Sequence, residues 1–299
     1  MATQGWGLVD MPDLHGKTVL ITGATHGLGQ RTAQELARAG AKIVLAVRDT
    51  AKGEGVAAGL AGSAEVHYLD LAELATIRRF ACEWSSDIDV LINNAGVMEV
   101  PEGKTEDGFE THIGVNFLGP FALTNLLLPH IRGQVVTLTS PFHSGGKIKT
   151  RDLNWTQRRY SAAQAYSDSK LADLLMAREL QRRLAEAGSP ITSIAVHPGV
   201  VRTGLFDHVK GPRGIYYAVG SRMLGHDLDH GVLPILYAAT QEVPGGSLVG
   251  PDGLRRFSGQ PTVLRPARNA LNVELGRELW VTAEQMTHTT FDLLGASRE

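Results

Sequence analysis

The sequence predicts an α/β protein in which one parallel sheet is doubly wound, with helices on both faces. Three observations carry this expectation. Short β-branched runs alternate with longer helical patterns along the first two thirds of the chain. The composition, 43% hydrophobic and 20% charged, is that of a folded globular protein. No Pro/Ser linker, internal repeat or low-complexity tract divides the 299 residues, so residues 1–299 are expected to form one domain.

The elements follow in order. Residues 17–22 (KTVLIT) read as a buried strand and 27–39 as a helix, with Gly40 where a helix C-terminal glycine belongs. Next come a strand over 42–47, a helix over 51–60, a strand over 64–69, a helix over 71–84 and a strand over 88–92. Strands and helices of these lengths in alternation imply right-handed crossovers and a parallel sheet covered on both sides. Residues 108–129 read as mostly helical, 134–139 (QVVTLT) as a strand, 161–187 as a long helix and 191–196 as a strand. Past Gly199 the regularity weakens. The segment 202–231 mixes Leu205, Phe206, Val209, Ile215, Tyr216 and Tyr217 with glycines and a proline, and is expected to cover the substrate as a lid, with a cover for the core or a subunit interface as the alternatives. Residues 247–249 supply one last short strand.

Charge and cysteine usage narrow the function. Lys and Arg number 29 against 31 Asp and Glu, a formal charge of −2, which gives no electrostatic reason to expect nucleic acid or an acidic membrane as partner. Cys82 is the only cysteine, so an intrachain disulfide and a Cys-rich zinc site are excluded and a reducing compartment is expected. The first residues lack the pattern of a signal peptide. The longest apolar stretch, 117–128, is broken by Gly119, Pro120 and Asn125, so no membrane span is expected and the cytoplasm is the expected location.

The first strand runs into Thr22-Gly23-Ala24-Thr25-His26-Gly27-Leu28-Gly29, and a helix follows. Glycines let a backbone turn tightly against a pyrophosphate, and the free N–H groups of the following helix stabilise the anion. The residues expected at the phosphates are Gly23, Thr25, His26, Gly27, Leu28 and Gly29. The second strand ends Ala46-Val47-Arg48-Asp49. Where an NAD-specific protein places an acid for the adenosine ribose, Val47 stands, and Arg48 can pair with a 2′-phosphate. NADP is therefore the expected cofactor, with NAD as the alternative. Asp70 is expected to accept a bond from the adenine amino group, to cap a helix beginning at Leu71, or both. Asn94, Ala95 and Gly96, after Asn93, end the fourth strand with small residues that let a ribose approach the backbone.

Tyr166 and Lys170 lie four apart near the start of the long helix and so share one face. An ammonium beside a phenol favours the phenolate, and with a nicotinamide cation nearby the phenol is expected to ionise about 2–3 pH units lower than a free tyrosine. Tyr166 then exchanges a proton with an alcohol or ketone as hydride moves. Ser140, at the C-terminal end of the fifth strand, faces the ligand crevice of such a sheet and is expected to hold the substrate oxygen. Asn116, with Lys170 and a water, is expected to complete a proton relay. His143 is expected at the surface. His226 and His230 share a helical face, but no third ligand is evident and no metal is expected.

The T-G-x-x-x-G-x-G loop, Asn93-Asn94-Ala95-Gly96, Asn116, Ser140, Tyr166-x-x-x-Lys170 and His197-Pro198-Gly199 together resemble the short-chain dehydrogenase/reductase family over roughly residues 15–205. Ala46–Asp49, Asp107-Gly108-Phe109-Glu110, Asp152-Leu153-Asn154-Trp155 and the long interval between Ser140 and Tyr166 resemble its retinol-dehydrogenase-like branch. The chain departs from that branch in Phe117-Leu118-Gly119-Pro120 after Asn116 and in Pro141 after Ser140. The resemblance implies a Rossmann-type sheet of about seven strands and NAD(P)-dependent interconversion of a hydrophobic alcohol with its aldehyde or ketone. It also implies nicotinamide contacts from Pro198, Gly199 and Thr203, and is compatible with a homodimer or homotetramer. Two other functions share these residues: reduction of a carbon–carbon double bond, and a regulatory dinucleotide-binding protein without catalysis.

Overall fold

The structure, a computed structural model, describes residues 5–201, 227–253 and 256–293. Eight strands form one sheet in the order β3-β2-β1-β4-β5-β6-β7-β8. They are β1 (Thr18–Thr22), β2 (Lys42–Val47), β3 (Ala64–Tyr68), β4 (Ile88–Asn93), β5 (Ile131–Leu138), β6 (Thr192–Val196), β7 (Leu248–Pro251) and β8 (Pro261–Leu264). The first seven run parallel, and the order reverses between β1 and β4. Between these two strands the register sets Val19 beside Val90 and Ile21 beside Ile92. Such a reversal opens a crevice at the C-terminal strand ends, because the flanking crossovers leave toward opposite faces.

The eighth strand departs from the expected seven. It pairs antiparallel with β7, at the sheet edge. Its four residues are bounded by Pro261 and, two residues after its end, Pro266, a composition tolerated at an edge but not in a sheet interior. Strand β5 begins at Ile131 rather than at Gln134, continuing through Gly133, where a Cβ would lie 2.5 Å from the Asp89 carbonyl oxygen.

Helices cover both faces: α1 (Gly27–Arg38), α2 (Thr50–Ala57), α3 (Leu74–Glu83), α4 (Gly119–Leu127), α5 (Ala162–Glu186), α6 (Leu228–Gly231), α7 (Leu233–Thr240) and α8 (Val273–Thr287). Successive strand residues point to opposite sides. Leu20, Val44, Leu91 and Val135 therefore join α3, α4, α5 and α8 in one core, while Val19, Ile21, Ile43 and Ile92 join α1 and α7 in the other. Gly40 follows α1 with φ +99°, as a helix-terminating glycine does. The stretch 108–129 is helical only from Thr111, passing into a π-helical segment (Ile113–Leu118) before α4. Pro120 lacks the N–H that an α-helix would direct to the Asn116 carbonyl, and the Gly119 N–H bonds instead to Gly114. Among the described residues no helix is long and apolar enough to cross a membrane.

The sequence pattern gave no sign of α8, yet it closes the core over α4 and α5. Buried Trp280 meets Phe121 edge-on at 4.7 Å between ring centroids, and the Arg183 guanidinium lies 4.7 Å over its ring. Replacing Trp280→Ala removes a large buried side chain that the surroundings cannot refill, and is expected to cost about 3–5 kcal/mol in urea denaturation. A loss below about 1 kcal/mol would overturn this packing account.

His197, directly after β6, is 1% exposed. Burial, and then the neighbouring His143 and Arg256, push its imidazole down from 6.5 to about 3. The unfolded chain takes up this proton near 6.5 while the folded chain does not, so stability is full above that pH and is lost as pH falls toward 3. In His197→Asn the stability difference between about pH 7.5 and pH 5 should shrink by about 1–2 kcal/mol. Urea titrations at the two pH values check this, and an unaltered difference refutes it.

Candidate active site

The loop from β1 into α1 has the conformation its glycines foreshadow. Gly23 and Gly27 adopt φ of +67° and +59°, where side chains other than glycine are strained. A Cβ on Gly23 would lie 2.7 Å from the Ala95 Cβ, and one on Gly29 would lie 2.4 Å from the Asn94 Nδ2. The Asn94 amide donates to the Thr22 and Gly23 carbonyls at 2.8 and 3.2 Å, and the Thr22 hydroxyl accepts from the Asn94 and Ala95 N–H groups. The loop is thus fastened to the end of β4. His26 occupies the N-cap of α1 without a side-chain cap bond, and its ring is engaged by the Thr25 hydroxyl at 3.1 Å. A helix start of this kind leaves N–H groups for an anion, while Leu28 packs half-buried beneath it.

At the end of β2, Val47 is buried and Arg48 exposed. The Asp49 carboxylate accepts from the Lys52 N–H at 3.0 Å and pairs with its ammonium at 2.9 Å, capping α2. The nearest acid is therefore committed elsewhere. Asp70 does not cap a helix at Leu71, because α3 begins only at Leu74, whose N–H bonds to Asp107 at 2.8 Å. Asp70 instead accepts from the Ala72 N–H at 2.9 Å, holding a turn, and Leu71 is buried. Pro198 and Gly199 follow the C-terminal end of β6, and Gly199 has a φ of +80°. Thr203 and most of the expected lid, 202–226, lie outside the described residues, as does His226. His230 is engaged by Asp227 at 2.7 Å at the start of α6.

Ser140 follows β5 and starts a tight 3₁₀ turn, its hydroxyl accepting from the Phe142 N–H at 3.3 Å. Tyr166 and Lys170 sit one turn apart on α5, both buried, and the Ser140 hydroxyl stands close enough to the Tyr166 phenol to favour its ionised form. The Lys170 ammonium lies 6.0 Å from the centre of the Tyr166 ring and donates to the Leu138 carbonyl at 3.0 Å and to Asp173 at 2.8 Å. Gly96 completes the group. A Cβ there would lie 3.2 Å from the Asn116 side-chain oxygen and 3.5 Å from the Lys170 nitrogen, so the absence of a side chain keeps the space beside both open.

Two expectations change here, and a third residue gains its setting. The Asn116 side chain accepts from the Val97 N–H at 2.7 Å and donates to the Val97 carbonyl and the Ser169 hydroxyl. Its amide braces the strand end and α5. The Tyr166 phenol is not lowered by the protein's own groups. Burial raises it, Lys170 and Ser140 pull it down and Asp173 pushes it up again, with a net rise above the ordinary value. His143 is not a surface residue: it is 4% exposed, with its Nδ1 2.6 Å from the Ser140 carbonyl.

Sequence reasoning missed Asp173, which faces Lys170 because residues three apart share a helix face, a spacing readable in hindsight. It also missed Phe142, 42% exposed yet 6.1 Å from the Tyr166 ring, and Asn269, whose amide reaches the His143 and Gly146 carbonyls from 123 or more residues away. No local pattern signals such distant partners.

Residues 17–213 match the family model described as short chain dehydrogenase. Human retinol dehydrogenase 13 is 40% identical over 91% of this chain and 84% of its own length. Mouse polyprenol dehydrogenase is 38% identical over 93% of this chain and 85% of its own. A crystal structure of an uncharacterized Mycobacterium paratuberculosis protein superposes with a TM-score of 0.86 at 47% identity, covering 97% of this chain and all of that one. The glycine loop, the open strand ends and the match over most of the chain agree. The chain belongs to the short-chain dehydrogenase family, in its retinol-dehydrogenase-like branch, and is an NAD(P)-dependent oxidoreductase of CH–OH and C=O groups.

Proposed function

We propose that this enzyme prefers NADP and interconverts a hydrophobic alcohol with its aldehyde or ketone, with Tyr166 as general acid and base. The observation that carries the reading is the convergence of Ser140, Tyr166 and Lys170 at the open C-terminal ends of the strands. The residues fit a dinucleotide: glycines stand wherever a Cβ would fill the cradle, and α1 starts without a side-chain cap.

Gly23, Thr25, His26, Gly27, Leu28 and Gly29 would hold the phosphates, and Asp70 and Leu71 would flank the adenine. Asn94, Ala95 and Gly96 would lie along the ribose, with Pro198, Gly199 and Thr203 at the nicotinamide end. Arg48, exposed beside an acid already spent on capping, supports the preference for a 2′-phosphate. When bound, the dinucleotide supplies or accepts the hydride.

The protein's part is to manage the proton. Ser140 holds the substrate oxygen against the Tyr166 hydroxyl, and the phenol gives its proton to a nascent alkoxide or removes one from an alcohol. Lys170, fixed by the Leu138 carbonyl and Asp173, keeps a positive charge beside the phenol. Phe142 gives the site an apolar wall, in keeping with relatives named for retinol and polyprenol.

Replacing Tyr166→Phe should leave NADPH affinity nearly intact while turnover of a lipophilic carbonyl panel falls at least about a hundredfold. Turnover within tenfold of wild type removes Tyr166 from the mechanism. For the cofactor, Arg48→Ala should weaken NADPH binding by about ten- to a hundredfold while NADH is little affected. Titration calorimetry separates the outcomes, and tighter wild-type binding of NADH than of NADPH overturns the assignment.

A further inference from the structure

An ionisable group that serves the mechanism above only as an anchor touches its central cation. Asp173 is 0% exposed, and its Oδ2 lies 2.8 Å from the Lys170 ammonium. We propose that Asp173 is a positioning residue, an internal counterion that limits how strongly Lys170 favours the Tyr166 phenolate and thereby sets the pH at which Tyr166 changes from proton donor to proton acceptor. The inference rests on Tyr166 as the proton-transfer group.

The geometry separates this role from simple anchoring. A buried ammonium needs acceptors for its N–H groups, and the Leu138 carbonyl already provides one at 3.0 Å. A neutral amide at position 173 would provide another without adding charge. The chain places a carboxylate there, and its second oxygen, Oδ1, is buried with no hydrogen-bond partner among the described residues. An anchor selected for hydrogen bonding alone would not strand half of a charged group, since an unpaired buried acceptor is costly. What the carboxylate adds over an amide is a negative charge in a medium where charges are weakly screened.

Burial raises the Asp173 carboxyl to about 6, and the Lys170 ammonium 2.8 Å away works in the opposite sense, favouring the carboxylate. Burial works against the Lys170 charge, but Asp173 and Tyr166 together outweigh it and favour the ammonium. The pair is thus charged yet close to neutral overall, and Tyr166 meets a cation whose field is partly cancelled.

The other groups around Tyr166 do not replace this effect. Ser140 is a hydroxyl and Phe142 is apolar. His112, from the segment before α4, meets the Tyr166 ring edge-on at 6.3 Å and is bonded through Nδ1 to the Glu110 carboxylate at 2.8 Å. His143, beside the Ser140 carbonyl, is held below its usual value by burial. Among the described residues no ion pair joins Lys170 or Asp173 to α8, which packs against α5.

The test reads the phenol directly, without cofactor. In protein labelled with ¹³C at the tyrosine ζ carbon, the Tyr166 resonance is assigned by its loss in Tyr166→Phe and followed from pH 7 to 11. In Asp173→Asn its midpoint should fall at least about one pH unit below wild type. Asp173→Glu, which keeps the charge, should stay near wild type. The acid limb of kcat/KM for alcohol oxidation should move down with the phenol. A folded Asp173→Asn with an unmoved midpoint overturns the proposal. Should that variant not fold, aspartate γ-carbon labelling of the wild type decides: a protonated Asp173 at pH 8 overturns it, and an ionised one supports it. If no alcohol is oxidised, the function proposed for the site fails, while the phenol titration still judges Asp173.

Discussion

A lysine ammonium held between β5 and α5 is the interaction on which the site depends. Lys170 donates from its side chain to the Leu138 carbonyl, while its own backbone carbonyl accepts from the Thr139 hydroxyl at 2.6 Å. The two bonds clamp the long helix to the end of the strand from both sides. Ser140 comes next on the strand side and Tyr166 one turn back on the helix side, so the clamp also fixes the distance between phenol and hydroxyl. A buried charge tolerates little displacement, because moving it from its partners exposes its full desolvation cost. Rigidity of this kind suits proton transfer, which needs heavy atoms within hydrogen-bonding reach.

The opposite wall of the crevice uses packing in place of charge. Where β1 and β4 lie side by side and the chain reverses its winding, Thr22 and Asn94 bond across the gap, and Gly23 and Gly29 press against Ala95 and Asn94. Every position there is as small as the approach of backbone to backbone requires. The site therefore has a floor of glycines and neutral side chains on one side and a hydrogen-bonded, partly charged wall on the other, with Gly96 beside Asn116 and Lys170.

Local patterns made much of this legible. The alternation of apolar runs and helical stretches located the first six strands to within a few residues, because a strand buried on both faces is apolar along its whole length. The glycine loop and the Tyr166–Lys170 spacing were readable for the same reason: each is a local constraint, one of backbone conformation and one of helix periodicity. The edge strand β8 and helices α7 and α8 were not readable. They are short or uneven in pattern, and their stability comes from surfaces made elsewhere, as with Trp280 against Phe121 and Arg183.

By itself the sequence determined the fold class and the family resemblance, and with them the groups proposed to handle the proton, since strand and helix patterns and short motifs are local to the chain. Only the tertiary structure decided how these groups are charged and occupied. It turned the Asn116 amide inward to Val97 and Ser169, buried His143 beneath Ser140 and left the phenol harder to ionise than a free tyrosine. The physical reason is common to all three. Hydrogen bonding and ionisation depend on desolvation and on neighbours contributed by distant segments, and neither is encoded in the order of residues around the group itself.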